Sequence, residues 1–211
     1  MAKSRTVNDY KSRDELRLAL QTFVDETGSN DWELKNYDAA TSEPNPNSIE
    51  DEVDRLMVLQ SYDLLDTGLE MEFEQMTQEA KEYFGTPIAV VSIVDLGRQW
   101  FKSIKGLDVE MTPRCMAFCS HVVKRKERYG CLIVNNALED PRFQHNPLVT
   151  GGPKIRFYAG APLITPEGIK IGSFCIIDSV PHPQGLTKEE QQRLQMFATE
   201  AVFHIIVRKK D

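Results

Sequence analysis

The run Ile155 to Leu163, Ile-Arg-Phe-Tyr-Ala-Gly-Ala-Pro-Leu, constrains the fold of this chain more than any other stretch, because its apolar and aromatic side chains belong in a buried strand. Gly160 within it leaves room for another backbone or a small ligand to come close. Just upstream, Asp140-Pro141-Arg142-Phe143 and Asn146-Pro147-Leu148-Val149 make a polar loop whose carboxylate, guanidinium and amide are placed to cap a cavity over that strand. The expectation is a sheltered hollow formed by the segments flanking residue 150, holding a bound molecule.

With 211 residues and 41% hydrophobic content the chain can build one substantial core plus an extension. A net charge of -7 argues against nucleic acid as the main partner, since phosphate binding needs clustered Lys and Arg. The basic clusters Lys124-Arg125-Lys126 and Arg208-Lys209-Lys210 fall at expected helix ends, where cations offset the dipole. No apolar run reaches the roughly 20 residues of a membrane helix, and the N-terminus lacks a signal-peptide pattern, so the expectation is a soluble cytoplasmic protein without membrane insertion. Cys115, Cys119, Cys131 and Cys175 lie in apolar stretches, which suits reduced, packed thiols.

Residues 1–48 read as a polar N-terminal arm that ends in a Pro-Asn-Pro-Asn linker and carries one modest helix from Ser12 to Val24, with Leu16, Leu18, Leu20, Phe23 and Val24 as its apolar residues. That helix needs a docking surface to be stable. Residues 49–211 read as the compact domain. Ser48 caps a helix with Ile49, Val53, Leu56 and Leu59 on one face, and Thr67 with Glu70 forms a capping box before a helix carrying Phe73, Met76, Ala80 and Phe84. Gly85-Thr86-Pro87 ends it.

Strands are expected over Ile88 to Asp95, Gln99 to Ile104, Cys131 to Asn135, Ile155 to Thr165 and Ile169 to Asp178. A helix opening at Pro113 runs through Ala117, Phe118, His121 and Val122, and a long irregular loop fills residues 136–154. The last helix begins with the capping box Thr187/Glu190 and keeps Leu194, Phe197, Ala201 and Ile205 on one stripe. This order gives an antiparallel sheet with helices on its faces.

These elements resemble the GAF domain family, in its stand-alone or sensor-fused bacterial-type subgroup. The resemblance covers roughly residues 49–210 and rests on Tyr62-Asp63-Leu64-Leu65-Asp66-Thr67, Thr86 to Asp95, Arg98-Gln99-Trp100-Phe101-Lys102-Ser103, Ala117-Phe118-Cys119-Ser120-His121, Asn146-Pro147-Leu148-Val149 and Ile155 to Leu163. It implies an α/β (α+β), GAF/PAS-like antiparallel sheet of five to six strands, in the order 2-1-5-4-3, with a pocket over one face.

The candidate site, read from the long loop, the strand beneath it and the neighbouring elements, is Trp100, Phe118, Cys119, His121, Asp140, Arg142, Phe143, Asn146, Arg156 and Tyr158. Arg142 or Arg156 would anchor a carboxylate or phosphate, with Phe118, Phe143 and Tyr158 packing the apolar part of the ligand. The alternative reading pins the loop with Asp140 and Arg142. Bilin-binding relatives attach their chromophore through a Cys next to a His, but here Ser120 separates Cys119 from His121. Cys115 and Cys119, four apart, share a helical face, yet no Cys-x-x-Cys completes a metal site. No cofactor is identified. His145 and His182 read as exposed, and His204 as able to titrate at an interface.

The expected function is a non-enzymatic regulatory module whose ligand shifts the terminal helices. Because the chain stops at Asp211, the output is expected in a partner chain, and the apolar stripe of the last helix in a homodimer. Two rivals stand beside it: an interaction subunit with a vestigial pocket, joined to its assembly through the arm, and a thiol-based methionine sulfoxide reductase using Cys119.

Overall fold

The computed structural model describes residues 5–27, 49–125 and 127–208. The expected cap at Ser48, the Pro-Asn-Pro-Asn linker, the side chains of Phe23 and Val24, and the basic residues Lys126, Lys209 and Lys210 lie outside the described positions.

After a 3-10 turn at Val7–Asp9, the described elements are α1 (Arg13–Thr27), α2 (Ile49–Ser61), α3 (Met71–Phe84), β1 (Ile88–Val94), β2 (Arg98–Lys105), β3 (Met111–Pro113), α4 (Phe118–Lys124), β4 (Leu132–Val134), α5 (Pro147–Thr150), β5 (Phe157–Ile164), β6 (Lys170–Asp178) and α6 (Lys188–Arg208). All strand pairs are antiparallel, in the order β3-β2-β1-β6-β5-β4. The five expected strands take the expected order, and β3 adds a sixth at one edge. Both edge strands have three residues, which limits the unpaired backbone offered to other chains.

The central strands β1, β5 and β6 are apolar on both faces because each face carries its own core. On one side Ala89, Val91 and Ile93 pack with Phe157, Phe174 and the stripes of α2, α3 and α6. Leu194, Phe197, Ala201 and Ile205 are fully buried there, as the periodicity of α6 requires. On the other side Val90, Val94 and Tyr158 pack beneath α4 and the 136–156 segment.

Part of the arm is committed to the domain. Val7 and Leu16 are fully buried and Leu20 nearly so, the backbone N–H of Val7 donates to the buried carboxylate of Asp95 at 2.9 Å, and Arg13 reaches Glu50 and Asp54 on α2.

Three local expectations are corrected. Thr67 does not cap α3: its hydroxyl donates to the carbonyl of Leu64 and accepts from Lys102, so α3 starts at Met71 without a side-chain cap. Pro113 opens no helix. It ends edge strand β3, where a missing N–H is tolerated, and a 3-10 turn over Arg114–Met116 precedes α4. Cys115 therefore lies in that turn and shares no helical face with Cys119.

The turn is drawn inward by Arg114. Its fully buried guanidinium donates to Glu52 at 2.8 Å and to the carbonyl of Asp95 at 2.7 Å. Glu52 also accepts a two-pronged contact from Arg55, so one buried carboxylate joins α2 to the β1–β2 corner and to the approach to α4.

Candidate functional site

The side of the sheet beneath α4 brings most of the expected residues together. Phe118 stacks on Phe143 with ring centroids 4.0 Å apart and interplanar angle 8°, and Tyr158 tilts against Phe118 at 5.1 Å. His121 meets the edge of Phe143 at 4.7 Å. Burial, with Arg142 and Lys124 close by, pushes the imidazole of His121 down to about 3, so the ring is neutral. The arrangement corrects one expectation: Phe118, Phe143 and Tyr158, all buried, fill the space that a ligand was expected to occupy.

The reason is visible at Gly160. A Cβ there would lie 2.3 Å from the hydroxyl of Tyr158, so the close approach this glycine permits is made by a side chain of the same strand.

Both candidate anchors are engaged. Arg142 pairs with Asp140 at 2.6 Å at the surface and lies 5.1 Å from the Phe143 ring centroid. Arg156 donates to the carbonyls of Val149 and Ile155, and its own backbone N–H bonds to Asp178. Asn146 caps α5 through Leu148 and donates to the carbonyl of Met116, which ties the long segment to the entry of α4. The loop-pinning alternative describes these contacts. Desolvation works against the charged form of Asp140, but hydrogen bonds and charge from Arg142 prevail and hold its carboxyl below the usual range.

Trp100 lies elsewhere. It is opposite Ile93 in the ladder and belongs to the core shared with α2, α3 and α6, whereas Phe101, opposite Ser92, faces the α4 side. A bulge at Lys102, where Val91 and Ser92 face Ser103 and Phe101, keeps Lys102 and Ser103 toward α3.

Residues outside the expected set complete the cluster. The thiols of Cys119 and Cys175 are 3.8 Å apart, and Tyr158 donates to Cys119 at 3.3 Å while also meeting Ser173 at 3.3 Å. The alternation Ser173, Cys175, Ile177 along β6 was the available signal, since period two places all three on one face. Among the described residues, open grooves lie beside this cluster rather than within it. One of about 780 Å³ runs along edge strand β4 and includes Asn135, Asp140 and Gly185, and one of about 320 Å³ lies between Arg128, Thr165 and Val202.

A second set of contacts links the sheet to α6 and to the exit of α2. The buried ammonium of Lys102 bonds to Glu70, Thr67 and the carbonyl of Gly68. Glu70 also pairs with Arg208 at 3.0 Å, and Arg208 donates to the carbonyls of Tyr62 and Asp63 just beyond α2.

Comparison with known proteins agrees with this architecture. The chain is 44% identical over 149 residues to a protein of Pseudomonas aeruginosa named "Cyclic di-GMP phosphodiesterase PA2567"; the match takes in 71% of this chain and spans about a quarter, 25%, of that relative. This finding points against the expectation of a non-enzymatic protein, because the relative bears the name of an enzyme. Among solved structures, a GAF domain of an Acinetobacter phosphoenolpyruvate-protein phosphotransferase matches with TM-score 0.53 and 14% identity, over 74% of this chain and 93% of that one. A free methionine-R-sulfoxide reductase of Neisseria meningitidis matches with TM-score 0.53 and 14% identity over 80% and 98%. A domain of a two-component sensor histidine kinase protein of Sinorhizobium meliloti matches with TM-score 0.50 and 18% identity over 69% and 96%. At such identities these three likenesses speak to the fold alone. The sequence model of the GAF domain covers residues 68–205, about two thirds of the chain, and the chain belongs to the GAF domain family.

Proposed function

We propose that this chain is the sensory and regulatory GAF unit of a cyclic di-GMP phosphodiesterase system, passing its state to the catalytic machinery through α2 and α6. The observation that carries this reading is the double engagement of Glu70, which holds Lys102 of the sheet and Arg208 of α6 at once. Arg208 in turn grips the exit of α2, so a shift of the sheet at β2 reaches both α2 and α6 through one carboxylate. The 44% identical relative supplies the class of output. Replacing the matched segment of that relative by this chain tests the reading. The graft is expected to keep a cyclic di-GMP hydrolysis rate that differs from that of the segment-deleted enzyme, and equal rates would contradict it.

A small-molecule site under the 140–156 segment is the second reading. It is favoured by the rim, where Arg142 lies over Phe143 and is 40% exposed at its side chain. An anionic ligand displacing Asp140 would take over that guanidinium, with the rings beneath opening to admit its apolar part. Native mass spectrometry of freshly purified protein would report a retained ligand as added mass.

The stripe of α6 expected to form a dimer contact is instead covered by the domain's own core, so self-association would use the outer face of α6, where Met196, Phe203 and Val207 are 57%, 59% and 39% exposed. A second copy of this chain is the proposed occupant. A partner recruited by the arm would meet the outer side of α1, where Leu18 is 67% exposed.

A further inference from the structure

Cys119 on α4 and Cys175 on β6 approach within 3.8 Å, and both are all but fully buried. Packing alone does not explain their surroundings. Hydroxyl groups in an apolar core are costly unless bonded, yet Tyr158 and Ser173 from neighbouring strands bond to each other there, and Tyr158 donates to the Cys119 sulfur. Ser92, opposite Ser173 in the ladder, is a third buried hydroxyl on the same face. The result is one sulfur that accepts from a buried hydroxyl, with a second thiol within reach of it. Burial opposes ionisation of Cys119, but hydrogen bonding at its sulfur, from Cys175 and Tyr158, outweighs it and brings the thiol down to about 7, whereas Cys175 is pushed up.

We infer that Cys119 and Cys175 form an oxidisable dithiol, a modification site at which a hydroperoxide produces an intramolecular disulfide that staples α4 to β6. The Cys119 sulfur attacks the distal peroxide oxygen, the O–O bond breaks, and the departing alkoxide or hydroxide takes the thiol proton, leaving a sulfenic acid. The Cys175 sulfur then attacks that sulfur, the S–O bond breaks, and hydroxide leaves with the Cys175 proton as water. Two thiols and one hydroperoxide thus give one disulfide, one alcohol or water, and one further water. The sulfurs close from 3.8 Å to about 2 Å, a displacement within the range of a single-turn adjustment of the seven-residue α4. Access for the peroxide comes through opening of this short helix, so oxidation is slow and peroxide-dependent. Oxidation also draws the sulfur acceptor of Tyr158 toward Cys175, which couples the bond to the Phe118–Phe143–Tyr158 cluster.

The test uses the full chain with Cys115→Ser and Cys131→Ser, which leaves the pair as its only thiols and alters two partly exposed positions outside the cluster. The reduced protein is treated with hydrogen peroxide, denatured, alkylated and mapped by mass spectrometry. The expected result is coupled loss of both free thiols, a cross-linked peptide pair containing Cys119 and Cys175, recovery of both thiols with a dithiol reductant, and slower amide exchange over residues 118–124 in the oxidised form. Two thiols that stay alkylatable, or sulfinic acid at either position without a cross-link, would overturn the inference. Mapping of the unmodified chain, with Cys115 and Cys131 as internal reporters of peroxide reactivity, tests the same pair by the same outcomes without any substitution.

Discussion

The hydroxyl of Tyr158 occupies the space that a side chain at Gly160 would need, since a Cβ there would sit 2.3 Å from it. Two residues apart on β5, they share one face of the sheet, and the missing side chain of one accommodates the ring of the other. Gly160→Ala should therefore overpack the core by about 1–3 kcal/mol, read as a lower urea midpoint. Tyr158→Phe removes the clashing oxygen, so Gly160→Ala should cost less in that background. Additive costs would show that the two positions are independent.

Glu52 is the buried carboxylate shared by Arg55 and Arg114. Glu52→Ala leaves both guanidinium groups without it and is expected to destabilise the protein by about 3–5 kcal/mol in chemical denaturation. Desolvation raises its pKa, but Arg114 and Arg55 overcome this and hold it well below the ordinary 4.5. The folded state thus resists protonation. Its contribution is present above the unfolded value and is lost as pH falls below about 4.5 toward the folded value.

His121 gives a separate pH signature. Because burial lowers its pKa from 6.5 to about 3, the unfolded chain binds a proton over a range where the folded one does not. Stability is full above 6.5 and declines as pH falls from there toward 3. His121→Phe should flatten the upper part of that decline, above the range where carboxylates titrate, and an unchanged slope between pH 6.5 and about 5 would contradict the assignment.

The N-terminal segment contributes to the core through Leu16, which is fully buried against α2. Leu16→Ala is expected to cost about 2–5 kcal/mol and to speed hydrogen exchange in residues 7–20 and along α2. An effect confined to α1 would mean that the segment adds nothing to the domain.

Phe203 is the large exposed aromatic residue of α6. If a second copy covers this face, Phe203→Glu should shift a dimer toward monomer in light scattering while leaving the thermal midpoint of the monomer nearly unchanged. A wild-type monomer at high concentration would remove the dimer proposal.

Much of the fold was legible because period and length determine it. The continuous apolar runs of β1, β5 and β6 require a sheet covered on both sides, and the Thr187/Glu190 box with the stripe through Ile205 gives α6, whose cap bonds are present at 2.7 and 3.2 Å. The short edge strand β3 was not legible, because Pro113 serves equally as the first residue of a helix, and it is long-range contacts, the pairing with β2 and the buried ties of Arg114 to Glu52 and Asp95, that hold this segment on the sheet edge. The site was legible as a neighbourhood but not as a state. Phe118, Cys119, His121, Phe143 and Tyr158 converge as expected, yet whether aromatic side chains line a space or fill it depends on three-dimensional packing. Trp100 was misplaced for a different reason: the bulge at Lys102 assigns faces along β2, and sequence spacing carries no mark of it.

The most direct test of signalling through Glu70 compares cyclic di-GMP hydrolysis by the grafted phosphodiesterase carrying wild-type chain, Glu70→Gln or Arg208→Ala, with hydrogen exchange over residues 200–208 measured in parallel. Release of α6 from the sheet should speed that exchange and change the hydrolysis rate by about fivefold or more in both variants. Faster exchange with an unaltered rate would contradict the coupling between this domain and its catalytic output.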